Sequence, residues 1–329
     1  MKSSNDKIKI LFLPGLSTSF IKNDYEILKK HFIVSQVNWH GKRDIFKILK
    51  KVINKDLVFV WFASDHAGIS VFLAKLFGKK SIVVAGGYDV ANIPEFNYGQ
   101  FTQNWIKKTL AKFALKHADI ILPVSNYVKN EISKILQPKK LEVVYNGVNT
   151  EKFIPKKKEK IIVTIGPVTK TRMKLKGLDT FSKVSVNFPD YKFVIIGETE
   201  EPLVKELKKI NPNLIFAGKI SHEKVIEYLQ KALIYCQLSY IESFGMGIAE
   251  AMSCECIPVV TKKGGLPEVV GDNGFFVQYG DINSTINAID KIIKDSKETK
   301  NLLRKRIKEM FSLKKREGEL VSIIRSLVK

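Results

Sequence analysis

The chain has 329 residues, a length that favours two domains of ordinary size over a single hydrophobic core. Apolar residues make up 45% of it, and no apolar run is long enough to cross a bilayer as a helix. The net charge of +22 is spread over both halves, without the basic tail or arginine-rich block of a nucleic-acid arm, so it favours phosphates or an anionic membrane surface as partners.

The cysteines indicate a reducing compartment. Cys236, Cys254 and Cys256 cannot all pair in disulfides, and Cys254 and Cys256 alone are too few to hold a metal ion. We therefore expect buried free thiols and no metal site. Because the first residues also lack the apolar core of a signal peptide, the sequence predicts a cytoplasmic protein.

Strand and helix patterns alternate through the first half of the chain. Apolar, strand-like runs lie at 8–14, 31–37, 56–62, 80–86, 118–124 and 141–146. Amphipathic helices are predicted from about Asn23 and at 44–53, 67–77, 104–118 and 126–136. This alternation is typical of a parallel sheet that is covered by helices on both faces.

The same alternation restarts after a lysine-rich stretch, PKKKEK at 155–160, which is typical of a linker. Further strands are predicted at 160–166, 191–197, 213–218, 232–238 and 256–260, and the chain ends in helices. The sequence therefore predicts two doubly wound, Rossmann-like α/β domains, at 1–155 and 156–310. A C-terminal helix at 311–329 is long enough to cross back to the first domain.

Ligands of open parallel sheets bind beyond the carboxyl ends of the strands, so we expect the loops that follow strands to line a cleft between the domains. One such loop leads into ESFGMGIAEAM at 242–252, which carries Glu242 and Glu250 around a glycine-rich helix start. A helix start attracts an anionic group, and flanking carboxylates can accept hydrogen bonds from sugar hydroxyls. The alternative is an acidic residue that favours the helix dipole together with an unrelated surface glutamate.

ESFGMGIAEAM, followed by CIPVV and GGLPEVV, resembles the Glu-x7-Glu signature of the family 4 (group 1) retaining glycosyltransferases. ILPVSNYVKNEI, VVYNGVNTEKF, LKGLDTF and YKFVIIG resemble other family segments in the same order, so the resemblance covers nearly the whole chain. It implies the GT-B fold, in which two Rossmann-like domains face each other across a cleft. It also implies retaining hexosyl transfer from a nucleoside diphosphate sugar to a saccharide or lipid-linked acceptor, without a metal or other cofactor.

The resemblance assigns roles to positions that match the family's motifs. Glu250 matches the glutamate that binds the donor's ribose hydroxyls, and Glu242 matches the one against the transferred sugar. Lys176 matches the lysine that neutralises the leaving diphosphate. Main-chain amides at the helix start hold the distal phosphate, and a glycine loop in the first domain closes on the phosphates. The implied donor-binding set is Gly15, Ser243, Phe244, Gly245, Met246 and Glu250.

Two positions depart from the family pattern. Pro167 stands where the family commonly has an arginine, and we expect Arg172 to replace it, because its planar guanidinium suits a phosphate in a chain with only six arginines. The alternative is a solvated loop side chain. A family histidine near the reacting carbon is also missing, and either Asp89 or His66 is expected there. An aspartate at a strand end is equally suited to capping a turn.

Other functions remain open from the sequence. The same fold also suits a sugar-nucleotide epimerase or phosphorylase, or a non-catalytic basic protein that binds a membrane or nucleic acid. The helix at 104–118 combines Trp105, Ile106, Leu110 and Phe113 with four lysines, a pattern that predicts either peripheral contact with an anionic membrane or packing against a sheet. For the protein as a whole we expect no nucleic-acid partner.

Overall fold

The computed structural model describes residues 7–295 and 300–329 and divides the chain into two compact units. Unit 1 comprises Met1–Gly147 and Leu313–Lys329, and unit 2 comprises Val148–Ser312. Each unit contains one sheet whose strands all pair in parallel. The predicted pair of parallel α/β sheets is therefore confirmed.

Unit 1 begins with strands and helices in strict alternation. In chain order they are β1 (Lys9–Leu13), α1 (Ser19–His31), β2 (Ile33–Gln36), α2 (Ile45–Val52), β3 (Leu57–Trp61), α3 (Asp65–Leu76), β4 (Lys80–Ala85), α4 (Trp105–His117), β5 (Ile120–Pro123) and α5 (Asn126–Ile135). The sheet order is β2-β1-β3-β4-β5. All five residues of β3, LVFVW, are buried, because helices cover both faces of the sheet.

Unit 2 contains the elements from β6 to α12, and α13 then returns to unit 1. In chain order the elements of unit 2 are β6 (Glu159–Ile165), α6 (Leu178–Ser185), β7 (Lys192–Ile196), α7 (Glu201–Ile210), β8 (Ile215–Gly218), α8 (His222–Lys231), β9 (Ala232–Gln237), α9 (Met246–Ser253), β10 (Ile257–Thr261), α10 (Leu266–Val270), β11 (Phe275–Val277), α11 (Ile282–Lys294) and α12 (Lys300–Met310). The helix α13 spans Leu313–Val328. The sheet order is β11-β10-β9-β6-β7-β8.

The strand order in unit 2 reverses direction at β6. The chain proceeds from β6 to β7 and β8 on one side, and then returns to place β9 on the other side of β6. The carboxyl ends of β6 and β9 are therefore neighbours, although they are distant in the sequence. Such a switch point is where open parallel sheets bind ligands.

Several predicted elements differ from the structure. The strand predicted at 141–146 is reduced to a parallel bridge between Ile121 and Leu141. Beside this bridge, the amides of Glu142 and Val144 donate hydrogen bonds to carbonyl oxygens of β5. The carbonyl groups of Val144 and Tyr145 instead accept hydrogen bonds from Arg316. The short strand β11 was not predicted, and α1 begins before the predicted start.

The boundary between the units lies after Gly147, whereas the sequence pattern placed it at 155. The guanidinium of Arg304 donates hydrogen bonds to the carbonyl oxygens of Thr150 and Phe153, and the Ser253 hydroxyl also donates to Phe153. These contacts hold the segment before the lysine-rich stretch against unit 2. Composition does not reveal them, because the partners lie far away in sequence.

A buried ion pair holds α13 in unit 1. The Arg316 guanidinium donates to both carboxylate oxygens of Asp24, at 2.6 and 2.7 Å, and to the Val144 and Tyr145 carbonyls. Trp61 Nε1 also donates to Asp24, at 3.0 Å. Asp24 is 0% exposed and Arg316 is 2% exposed, so each charge depends on the other and on these polar neighbours.

We expect Arg316→Met to destabilise the protein by about 3–5 kcal/mol, because it leaves the Asp24 carboxylate buried without its cation. Denaturant unfolding measures the loss. The matched control is Lys30→Met, which breaks the exposed ion pair with Glu317 between the same two helices and should cost less than about 1 kcal/mol. Similar losses in the two variants would contradict this account of the buried pair.

Candidate active site

The loops that follow β6 and β9 meet at the switch point of unit 2. Lys176, in the loop after β6, donates a hydrogen bond from Nζ to Glu242 Oε1 at 2.5 Å. Glu242 lies in the loop after β9, 66 positions further along the chain. The structure thus brings together two residues that the sequence assigned to the same reaction.

Glu242 uses one carboxylate oxygen for all of its protein contacts. Its Oε1 also accepts hydrogen bonds from Gln237 Nε2 at 2.9 Å and from the Ser239 hydroxyl at 2.8 Å. Within residues 7–295 and 300–329, no hydrogen-bond donor contacts Oε2. The carboxylate is therefore fixed through one oxygen and retains the other for a ligand.

Gln237 and Ser239 were not predicted. Gln237 also accepts a hydrogen bond from the hydroxyl of Tyr235, so a buried polar chain leads from the strand to Glu242. The signal in the sequence was the pair of polar residues at the end of the apolar strand ALIYCQLS. Residues two positions apart share one side of a strand, which is why both of them reach Glu242.

The loop that carries Lys176 is held in helical turns. The Lys176 amide donates to the Arg172 carbonyl at 2.9 Å, and this spacing places the side chains of the two residues on the same face. Gly177 has φ +65°, and a Cβ there would overlap the carbonyl oxygen of Leu238. Only glycine allows this approach to the loop after β9.

The helix α9 begins directly after the Glu242 loop. Gly245 precedes its first residue, Met246, with φ +96°, a conformation that favours glycine. Phe244 is buried and packs edge-on against Phe311, whereas Ser243 and Met246 are partly exposed. The first amide groups of α9 have no partner within the helix, so this end can bind an anionic group.

Glu250 lies in α9 and is 8% exposed. Burial raises the pKa of its carboxyl from 4.5 to about 8, and no hydrogen bond counteracts this effect. No donor in the described parts of the chain contacts the carboxyl group. A buried acid in this state lacks the partners that a ligand's hydroxyl groups would provide.

Gly15 and His66 are neighbours at the carboxyl ends of the unit 1 strands. Gly15 has φ +67°, and a Cβ there would lie 3.0 Å from the His66 ring. The ring is buried: Nε2 donates to the Trp61 carbonyl at 2.9 Å, and Nδ1 shares a hydrogen bond with the Ser64 hydroxyl at 2.6 Å. Both ring nitrogens thus have protein partners.

Asp89 is 1% exposed, and main-chain amides occupy both of its oxygens. Ala63 and Gly87 each donate to it at 2.7 Å. Burial raises the pKa of the carboxyl to about 6, although these hydrogen bonds act in the opposite direction. The contacts match the turn-capping alternative, and a catalytic role for Asp89 stays a prediction.

A cavity of about 470 Å³ lies in unit 1 beside Gly15. Its lining includes the rings of Tyr25 and Trp39 and the amide side chains of Gln36 and Asn38. Aromatic faces and amide groups together suit a sugar ring, which presents both apolar CH surfaces and hydroxyl groups.

The described residues contain no group of three or more histidine, cysteine or acidic side chains that would hold a metal ion. The three cysteines are free and buried, as predicted. In the part of the chain that the structure describes, no helix has the length and apolar character needed to cross a membrane.

Two family models match the chain. The model for "Glycosyl transferases group 1" matches residues 148–310, and the model for "Glycosyltransferase Family 4" matches residues 27–152. The chain belongs to the group 1 glycosyltransferases. The family resemblance of the sequence motifs is thus confirmed.

Relatives of this glycosyltransferase support the same assignment. N-acetyl-alpha-D-glucosaminyl L-malate synthase of Bacillus anthracis is 27% identical over 291 residues, which cover 80% of this chain and 72% of that protein. The phosphatidylinositol N-acetylglucosaminyltransferase GPI3 subunit of Saccharomyces cerevisiae is 27% identical over 220 residues, which cover 60% of this chain and only 48% of that protein.

A solved structure shows the same fold. Anabaena Alr3699/HepE, in complex with UDP and glucose, superposes with a TM-score of 0.79 at 17% identity, and the match covers 97% of this chain and all of that one (100%). The predicted GT-B fold is therefore confirmed.

We expect the pH dependence of stability to reveal the buried carboxyl of Glu250. The folded glycosyltransferase holds this proton to higher pH than the unfolded chain, because burial raises the pKa from 4.5 to about 8. The stability that Glu250 contributes is complete below the lower value and is lost as the pH rises through the upper one. The unfolding free energy of the wild type should therefore fall relative to that of Glu250→Gln, by up to about 1.4 kcal/mol per pH unit in this window.

Denaturant unfolding of both proteins at several pH values measures this difference. Asp89 contributes equally to the pH dependence of both proteins, so its contribution cancels. Glu227→Gln makes the same change at an exposed glutamate of unit 2 and should follow the wild type. Parallel pH curves for the wild type and Glu250→Gln would show that Glu250 ionises normally in the folded protein.

Proposed function

We propose that this glycosyltransferase transfers a hexosyl group from a nucleoside diphosphate sugar with retained anomeric configuration and without a metal ion. The observation that carries the proposal is the Lys176–Glu242 pair, in which the lysine occupies one oxygen of Glu242 and leaves Oε2 for the sugar. Arg172 lies on the same face of the loop as Lys176. Cationic groups and an open carboxylate oxygen are what a sugar diphosphate requires.

The leaving group determines the arrangement of charge. As the bond between the sugar's anomeric carbon and the diphosphate breaks, the electron pair stays on the phosphate oxygen. Lys176, Arg172 and the first amides of α9 would stabilise the negative charge that develops there. This account requires no bound metal, because side chains and the helix dipole supply the positive charge.

Retention follows if the acceptor attacks from the face that the diphosphate leaves. The acceptor oxygen forms its bond to the anomeric carbon, and its proton passes to the departing phosphate oxygen. Glu242 would accept a hydrogen bond from a hydroxyl of the transferred sugar through Oε2, while Lys176, Gln237 and Ser239 hold Oε1 in place. In this role Glu242 orients the sugar.

Glu250 would bind the ribose of the donor. Its carboxyl group is buried and has no described hydrogen-bond partner, so two ribose hydroxyls would supply the missing contacts. Ser243, Phe244, Gly245 and Met246 would place main-chain amides near the distal phosphate. The roles of Gly15 and Asp89 in unit 1 remain predictions of the sequence.

UDP-glucose is a suitable first donor for tests, since the Anabaena protein was solved with UDP and glucose. The name of one relative contains L-malate and that of another contains phosphatidylinositol. For this enzyme we propose a saccharide or lipid-linked acceptor. The cavity beside Gly15 is suited to the sugar part of such a molecule.

We further propose a cytoplasmic protein with peripheral contact at the inner face of the membrane.

We expect purified protein to release UDP from UDP-glucose. We also expect one glutamate to contribute mainly to UDP affinity and the other mainly to turnover. Glu250→Ala should weaken the binding of free UDP, because the ribose contacts are lost. Glu242→Ala should leave UDP affinity nearly unchanged and lower turnover, because the transferred sugar is the only part of the donor that Glu242 would contact. Calorimetric titration with UDP and the rate of UDP release separate the two effects.

Glu227→Ala, at an exposed position in the same unit, is the control and should alter neither quantity. The anomeric configuration of the product, read by NMR, tests retention. Equal losses of UDP affinity in Glu242→Ala and Glu250→Ala would contradict the division of roles, and an inverted product would contradict the mechanism.

We expect Arg172→Lys to retain much of the donor affinity while losing about tenfold or more in turnover. Lysine keeps the charge but lacks the planar fork that can bind two phosphate oxygens as negative charge builds in the transition state. Arg172→Ala should reduce both affinity and turnover further. Steady-state kinetics with the donor varied gives the two quantities.

Lys170→Ala removes a charge from an exposed side chain two residues earlier in the same loop and serves as the control. Its kinetics should stay close to those of the wild type. Wild-type turnover in Arg172→Ala would show that Arg172 has no part in stabilising the diphosphate.

A further inference from the structure

Three helices cover one face of the unit 1 sheet. The connections between parallel strands are right-handed, which places α2, α3 and α4 on the same side, and α3 contacts both of the others. Their outer surface, called here the α2–α4 face, carries large apolar side chains that remain exposed. These are Phe46, Phe72, Leu76, Trp105 and Ile106.

The inner side of α4 is made by two alanines and a leucine. Ala111, Ala114 and Leu115 are buried, and Gly68 of α3 lies so close to the Leu110 backbone that a Cβ would meet its carbonyl oxygen at 2.7 Å. Packing against the rest of unit 1 therefore uses this stripe.

Trp105 and Ile106 take no part in that stripe, since they are 74% and 51% exposed. Packing against the sheet, one of the two interpretations of this helix, thus accounts for the alanines and leaves these two side chains unexplained.

The α2–α4 face is strongly positive. Together α2, α3 and α4 contain eight lysines and a single acid, Asp65. In contrast, α1, α5 and α13 contain nine basic and five acidic residues. Among the described residues, Lys47 is the one lysine of the eight that forms an ion pair.

We propose that the α2–α4 face docks on the surface of an anionic lipid bilayer. Trp105, Ile106 and the other exposed apolar side chains would enter the headgroup region, and the lysines would meet the lipid phosphates. The inference identifies the surface behind the proposed peripheral membrane contact and does not depend on the donor chemistry.

Nucleic acid would explain the lysines, and unpaired bases would stack on the aromatic rings, but neither explains the aliphatic Leu76 and Ile106. A phosphate backbone is bound through charge and hydrogen bonds, and sites that recognise it commonly use arginine, which is absent from these three helices. A bilayer surface offers both anionic headgroups and an apolar region for the exposed Phe46, Phe72 and Trp105 side chains.

Sedimentation with phosphatidylcholine vesicles, with and without phosphatidylglycerol, tests the proposal. We expect binding only to the anionic vesicles and weaker binding as salt is raised. Trp105 provides a second signal, because it is exposed whereas Trp61 is fully buried and Trp39 is half-buried. Its fluorescence should shift to shorter wavelength on binding, and Trp105→Phe should lose the shift.

Replacing the four lysines of α4 with glutamine should lower vesicle affinity by about a hundredfold or more. These are Lys107, Lys108, Lys112 and Lys116. The control makes the same change at four exposed lysines of unit 2, Lys205, Lys208, Lys209 and Lys224, and should retain binding. Both variants should keep wild-type thermal stability and wild-type release of UDP from a soluble donor, so a failure of docking is distinct from a failure of the proposed reaction.

Trp105→Ser with Ile106→Ser should also lower vesicle affinity, whereas Val186→Ser, at an exposed apolar position of unit 2, should not. Three results would overturn the proposal. They are no sedimentation with anionic vesicles at low salt, unchanged binding by the α4 glutamine variant, and binding of RNA by this face without binding of vesicles.

Discussion

The ion pair between Arg316 and Asp24 is the contact on which the path of the chain depends. After leaving unit 1 for more than a hundred and sixty residues (Val148–Ser312), the chain returns to it in α13, and the Arg316 guanidinium meets both oxygens of Asp24. The same guanidinium donates hydrogen bonds to the carbonyls of Val144 and Tyr145. The end of the first segment of unit 1 and its last helix are therefore joined at one buried charge. A charge that leaves water requires partners, and here the fold supplies all of them.

That requirement also separates structural from functional charges elsewhere in the protein. Asp89 is buried among main-chain amides, and Arg304 is bonded to carbonyl oxygens, so both have partners within the fold. Glu250 has comparable burial and no described partner, and the pKa of its carboxyl is raised accordingly. An acid left in this state in the second turn of α9 is more readily explained by a ligand than by folding.

Much of the fold could be predicted, because parallel strands buried on both faces appear as continuous apolar runs. The strand at 141–146 is shorter than predicted: its amides at Glu142 and Val144 bond to β5, but the carbonyls of Val144 and Tyr145 bind Arg316. The two compact units divide after Gly147 and not at the predicted 155 for a similar reason, since Arg304 binds the Phe153 carbonyl within unit 2. Single long-range hydrogen bonds of this kind leave no periodic trace in the sequence.

The sequence by itself determined the alternation of strands and helices, the family motifs and the candidate residues, because these follow from short-range periodicity and local spacing. Only the tertiary structure decided which of those residues meet. Lys176 reaches Glu242 because the strand order places β6 beside β9, and Gln237 and Ser239 join them because the end of β9 presents both toward that carboxylate. Likewise, the sequence of α4 allowed either packing or exposure for Trp105, and the close approach of Gly68 to Leu110 decided for exposure. Strand order and helix approach depend on contacts between distant segments, and local sequence pattern does not encode them.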